Sequence, residues 1–217
     1  MSSDQRSTAA PVPAPPPRPA AAALRAVCVF CGSQPGVRAA YVQAARALGS
    51  ELARRGIETI YGGGHIGMMG ALADSALAAG GQVVGVIPEH LMRPEVAHQE
   101  LTELLVVDSM HTRKRTMAQR ADAFIVLPGG YGTFEEMFEM VTWRQLQLHG
   151  KPVGLVNVEG FFDHLLLFLQ HAAQQEFIRP QHRDLLLVDD SAAALLDRLR
   201  QHVTTTDRAA VGDLGRS

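Results

Sequence analysis

Seven short runs of β-branched and other apolar residues alternate along most of this chain with longer segments of helical periodicity. The runs are Ala26 to Phe30, Ile57 to Tyr61, Gln82 to Ile87, Leu104 to Val107, Ala123 to Leu127, Val153 to Val158 and Leu185 to Val188. Between and after them lie Val37 to Arg55, Met68 to Ala79, Met110 to Arg120, Thr133 to His149, Phe161 to Glu176 and Ser191 to His202. Parallel strands need crossover connections, and a helix is the usual one. The alternation therefore predicts an α/β fold: a single Rossmann-like domain with a mainly parallel sheet and helices on both faces. Such sheets take ligands in the crevice at the carboxyl ends of their strands.

With 217 residues, 47% of them hydrophobic, the chain can bury one sizeable core and no second domain. Residues 1–23 are rich in proline and alanine without periodicity and predict a disordered tail. The domain then spans residues 24–203, and the polar segment 204–217 predicts a flexible C-terminal tail. A net charge of -2 offers no broad field for a nucleic-acid backbone, so no nucleic-acid partner is expected. No apolar segment approaches the roughly 18 residues that cross a bilayer, and the N-terminus has no apolar signal core, so the expected location is cytoplasmic, with no membrane partner.

Cys28 and Cys31 form a Cys-x-x-Cys pair, but Cys28 lies inside a strand-like run rather than at a helix start. Their odd spacing sends them to opposite faces of an extended strand, so buried small residues are the better reading. Nine histidines show no metal-binding spacing, and no metal is assigned.

The chemistry concentrates at strand ends. After Ala123 to Leu127 comes Pro128-Gly129-Gly130-Tyr131-Gly132-Thr133-Phe134-Glu135-Glu136, which reads as strand, turn, helix. Thr133 and Glu136 have the spacing of a capping box, and the helix they open places Phe134, Met137, Phe138, Val141 and Leu148 mostly on one face. The first amides of such a helix, with the positive end of its dipole behind them, suit a phosphate. A tight turn with a capped helix is the plainer alternative. Gly62, Gly64 and Gly67 form a G-x-G-x-x-G between strand and helix, a partial dinucleotide fingerprint that keeps a nicotinamide-dependent reductase in view. Gly32 and Ser33, after the first strand, serve equally well as connector or ligand contact. Asp108 or Ser109 can cap the helix in which Met110 and Met117 face inward. On helical placement alone, Arg113 and Lys114 read as a solvated face sooner than as partners of an anion.

Gly32-Ser33, the run Tyr61-Gly62-Gly63-Gly64-x-x-Gly67-x-Met69-Gly70, Met110-His111-Thr112-Arg113-Lys114 and Pro128-Gly129-Gly130-Tyr131-Gly132-Thr133-x-x-Glu136 together resemble the LOG (lonely guy) family. Its members are cytokinin riboside 5'-monophosphate phosphoribohydrolases, many with an older label as lysine decarboxylases. The resemblance covers about Val27 to Asp189, including the tract Trp143 to Asn157. It implies that water cleaves the N-glycosidic bond of a nucleoside 5'-monophosphate, AMP or an N6-prenylated relative, to free base and ribose 5-phosphate. It implies no cofactor, and a homodimer with its site near the subunit contact. Carried over residue by residue, Arg113 and Glu136 are catalytic. Glu95, Lys114, Gly130, Tyr131, Gly132, Thr133, Phe134, Glu135 and Thr142 contact substrate, and Gly62, Gly63, Gly64, Gly67, Gly32 and Ser33, in the same crevice, are substrate-binding as well. A non-catalytic nucleotide or molybdenum-cofactor carrier, built on the same architecture, is the alternative.

The residues suit that chemistry. Parting a base from ribose builds positive charge on the sugar, which a fixed carboxylate can stabilise while it orients or deprotonates water. Glu136 has that place, one helical turn past the phosphate-binding amides. Arg113 has three open roles: neutralising phosphate, positioning Glu136, or hydrogen-bonding the departing base.

Overall fold

A computed structural model describes residues 24–93 and 96–213, with side chains to residue 204. The predicted N-terminal tail lies outside the described residues. Seven strands form, at Ala26–Phe30 (β1), Glu58–Tyr61 (β2), Val83–Pro88 (β3), Glu103–Val107 (β4), Ala123–Val126 (β5), Val153–Val156 (β6) and Leu186–Asp189 (β7). They make one sheet in the order β4-β3-β2-β1-β5-β6-β7, and every neighbouring pair is parallel. The sheet expected to be mainly parallel is wholly so.

Six α-helices accompany the sheet among the described residues: Ala39–Arg54 (α1), Gly67–Ala78 (α2), Met110–Arg120 (α3), Tyr131–Gln145 (α4), Asp163–Gln174 (α5) and Ala192–Asp213 (α6). The last runs past the expected end at His202, into the segment read as a tail. Short 3-10 turns at Glu89–Leu91, Val158–Gly160 and Pro180–Leu185 were not anticipated, being too brief to print a period on the sequence. Among the described residues no helix is long and apolar enough to cross a membrane.

Strand periodicity divides the core in two. Val27 and Val29 of β1 face a layer with Leu48 and Leu52 of α1, Leu72 of α2 and Leu195 and Leu199 of α6. Ala26, Cys28 and Phe30 face the other, with Met117 of α3, Met137 and Met140 of α4, and Phe162. Both faces are covered, which is why β1 is buried along its whole length and reads as a continuous apolar run. Cys28 and Cys31 lie in opposite layers, free and buried, as their spacing predicts.

Strand order also locates the crevice. The chain steps outward from β1 through β2 and β3 to β4, then returns to place β5 on the other side of β1. The connections leaving β1 and β5 therefore diverge to opposite faces, opening the sheet at their carboxyl ends.

Candidate active site

At that opening the two turns are tied together. Leu127 N–H donates to Phe30 O at 2.9 Å and Gly32 N–H to Pro128 O at 3.0 Å. Contact this close needs a bare backbone: a Cβ on Gly129 would sit 2.2 Å from Thr133 Oγ1 and 2.9 Å from Gly32 N. Thr133 is accordingly buried beneath the turn. The expected capping box does not form. The N-cap is Gly130, which has no side chain to offer, so α4 begins two residues before Thr133, and Glu136 turns its carboxylate elsewhere. The first turn carries no acidic residue either. A Cβ on Gly130 or Gly132 would meet nothing within 4 Å, and Tyr131 is exposed, so this uncapped helix start faces open space where an anion can approach.

Glu136 and Arg113 meet behind it. Arg113 Nη1 donates to Glu136 Oε1 at 2.6 Å, while its Nε donates to Val86 O of β3 at 3.0 Å. Only 9% of Arg113 and 8% of Glu136 is exposed, which overturns the solvated-face reading of α3. The reason is local. Ser109 caps the helix by accepting Thr112 N–H at 3.1 Å, and Arg113, Thr116 and Met117 then share the inward face at i, i+3 and i+4. Met110, expected to face inward, is 40% exposed at the helix start. Lys114 is also largely covered, its ammonium bonded to Glu135 and lying 3.1 Å from Glu139, both on α4.

A buried ion pair adds little net stability, because desolvation cancels much of its attraction. Its value here is orientation. Burial pushes the Glu136 carboxyl above the ordinary carboxylate range, opposed by the charge and hydrogen bond of Arg113. A carboxylate so placed is a stronger base than one in water. Burial, and then the charge of Glu136, also raise the thiols of Cys28 and Cys31, which therefore stay protonated and inert.

The second glycine run has a different use from the one its fingerprint suggests. A Cβ on Gly62 would lie 2.3 Å from Arg113 Nη2, so the guanidinium rests on bare backbone. Gly64 bridges to Ala97, a Cβ on Gly63 would press on Ile87 and Leu104, and one on Gly67 would strike Ser33 O at 2.3 Å. Gly32 is buried and Ser33 exposed at the rim.

Three other predicted contacts are placed differently. Phe134 turns its ring onto Phe162, 6.3 Å between centroids, and gives its amide to Gly130 O, so it serves the helix. Thr142 is exposed on α4, eleven residues beyond Tyr131, or ~16 Å along the axis. Glu95 lies outside the described residues. Sequence reasoning missed Val86 O and Glu139 as anchors. A backbone acceptor leaves no trace in a sequence, whereas Glu135 and Glu139, at i and i+4, could have been read as a two-carboxylate seat for a cation.

Comparison with known proteins identifies the family. A family described as "Possible lysine decarboxylase" matches residues 69–199. A probable cytokinin riboside 5'-monophosphate phosphoribohydrolase of Oryza sativa subsp. japonica, LOGL5, is 47% identical over 183 residues, covering 84% of this chain and 74% of its own. The cytokinin riboside 5'-monophosphate phosphoribohydrolase LOG1 of Arabidopsis thaliana is 45% identical over 187 residues, covering 86% and 88%. Among solved structures, the molybdenum cofactor carrier protein of Chlamydomonas reinhardtii superimposes with a TM-score of 0.62 at 19% identity, covering 82% of this chain and 98% of its own. The molybdenum cofactor binding protein of Rippkaea orientalis gives 0.64 at 18%, covering 83% and 98%. Those two share the fold alone. With relatives at this identity along most of its length, the chain belongs to the LOG family, whose family model bears the lysine decarboxylase label.

Proposed function

We propose that this protein hydrolyses the N-glycosidic bond of a purine nucleoside 5'-monophosphate, AMP or an N6-prenylated relative, releasing free base and ribose 5-phosphate. The 5'-phosphate binds at the uncapped start of α4, on the amides of Gly130 to Thr133, with Lys114 adding positive charge nearby. The ribose then lies beside Glu136. As the bond from C1' to the base nitrogen lengthens, the carboxylate stabilises the oxocarbenium-like sugar and accepts a proton from the attacking water, whose oxygen bonds to C1'. The bonding electrons leave with the base, which takes up a proton. Arg113 keeps Glu136 ionised and aimed. The observation that carries this reading is the buried 2.6 Å contact between Arg113 and Glu136, immediately behind an uncapped helix start.

Product analysis with AMP, prenylated AMP, other purine and pyrimidine monophosphates, and the matching unphosphorylated nucleosides tests it. Base is expected from the purine monophosphates. Adenosine is expected to fall on the order of 10³-fold behind AMP in kcat/KM, since loss of the remote anchor removes orientation at the reacting carbon. Equal turnover of adenosine and AMP would overturn the anchor.

The active assembly in this reading is a homodimer. Phe138 and Thr142 of α4 and Leu146 at its C-cap recur every fourth residue and are all exposed, a stripe suited to a second copy. Thr142, too far along α4 to reach a phosphate at its own helix start, would then contribute to the partner's site. Light scattering is expected to give twice the chain mass for the parent and the chain mass for Phe138→Glu. A monomeric parent would remove the dimer. We place the reaction in the cytoplasm, where reduced thiols such as Cys28 and Cys31 persist.

A further inference from the structure

Residues 96–98 run antiparallel to the glycine strip that follows β2. His65 N–H donates to Val96 O at 2.9 Å, His98 N–H donates to Gly63 O at 3.0 Å, and Gly64 and Ala97 form the bridge between them. So short a pairing, outside the main sheet, is marginal by itself. The side chain of His98 secures it. This imidazole is 5% exposed, and its Nδ1 accepts Glu100 N–H at 3.1 Å, which leaves the proton on Nε2. Nε2 then donates to Asp74 Oδ1 of α2 at 2.9 Å, and the ring of His65 packs edge-on at 5.7 Å. One residue thus ties the β3–β4 connection to α2 by its side chain and to the glycine strip by its backbone.

That strip is the floor under Arg113. The guanidinium lies so close over Gly62 that a methyl group there would be 2.3 Å from Nη2, and Gly62 is covalently joined to Gly63, which His98 pins. The clamp therefore reaches the reacting pair through two backbone units. We propose that His98, held by Asp74, is a positioning residue for Arg113: it keeps the Gly62 floor in place and with it the contact between Arg113 and Glu136. This rests on reading that pair as the reacting centre, but the coupling itself does not need a substrate.

The test is a ¹³C NMR titration of the Glu136 carboxyl in the full chain, its signal assigned by its loss in Glu136→Gln. The groups facing that carboxyl are Arg113 and Lys114 of α3, Glu135 of its own helix, and the thiols of Cys28 and Cys31. His98→Phe and Asp74→Ala are expected to raise the midpoint by about 0.5 pH or more, as Arg113 drifts from the carboxylate. His98→Gln, whose amide reaches the place of Nε2, is expected to restore it. Direct loss of the Asp74 charge would act in the opposite sense, so a rise reports the displaced guanidinium. The acidic limb of kcat/KM for adenine release from AMP is expected to move with the midpoint. Folded His98→Phe and Asp74→Ala proteins with the parental midpoint would overturn the proposal. Should His98→Phe fail to fold, Asp74→Ala decides, because that carboxylate is 62% exposed. A parent that releases no base from any nucleotide would end the hydrolase reading, while the titration would still decide the role of His98.

Discussion

Glu136→Gln is expected to lower the rate of base release from AMP by on the order of 10²–10⁴-fold while leaving the fold intact. Glutamine keeps the shape of the side chain and an oxygen that can still accept from Arg113 Nη1, so the guanidinium is not stranded. What it loses is the negative charge facing the sugar and the ability to take a proton from water. Glu136→Ala is the poorer test, because it leaves the buried Arg113 charge without its counter-ion, at a cost of roughly 3–5 kcal/mol. The parent's pH dependence follows from the same site. Burial holds the Glu136 carboxyl above the ordinary range, and catalysis needs it ionised, so kcat/KM falls on the acid side with a midpoint above that of an ordinary carboxylate. That limb is expected to vanish in Glu136→Gln. Chromatographic measurement of free adenine against pH, with thermal melting of both proteins, checks both points. A variant with parental activity would remove Glu136 from the mechanism.

How far the sequence carries this site depends on which physical signal each residue left. Strand and helix periods located the seven strands and six α-helices of the described residues, because burial on both sheet faces forces apolar runs and one-sided helices force stripes. The glycine turn after β5 was legible as a strand-to-helix turn, yet its capping box was misread. Thr133 and Glu136 have the right spacing, but spacing does not reveal that Arg113, twenty-three residues upstream, competes for the carboxylate and wins it. Arg113 and Lys114 were misassigned from helix placement alone, since a charge near a helix start looks the same whether it faces water or a carboxylate on the next helix. The glycine run after β2 was recognised as special, but the packing it serves was not. Its glycines make room for Arg113, for the turn after β1 and for the strap at 96–98, and no local pattern encodes contacts between segments so far apart. Tertiary pairing decided each of these cases.

Arg113→Lys separates charge from geometry, and is expected to cost on the order of 10²-fold in kcat/KM, approaching the loss in Arg113→Ala. If a nearby positive charge were all that Glu136 needed, lysine would supply it. The arginine does more: Nε holds Val86 O, Nη1 holds Glu136 Oε1, and Nη2 sits against the bare backbone of Gly62. An ammonium on a flexible stem cannot reproduce that planar three-point seat, so the carboxylate keeps a counter-charge but loses its aim. In Arg113→Ala the carboxylate loses both. With the charge and hydrogen bond of Arg113 gone and Lys114 alone left to oppose burial, its carboxyl rises further, the ionised fraction at neutral pH falls, and the acidic limb of kcat/KM moves to higher pH. Because Arg113 acts through Glu136, the two changes should not add. The double variant Arg113→Ala/Glu136→Gln is expected to be scarcely slower than Glu136→Gln alone, a coupling that a four-member cycle of kcat/KM values measures directly. Additive losses would mean that Arg113 acts on the phosphate or the departing base without going through the carboxylate.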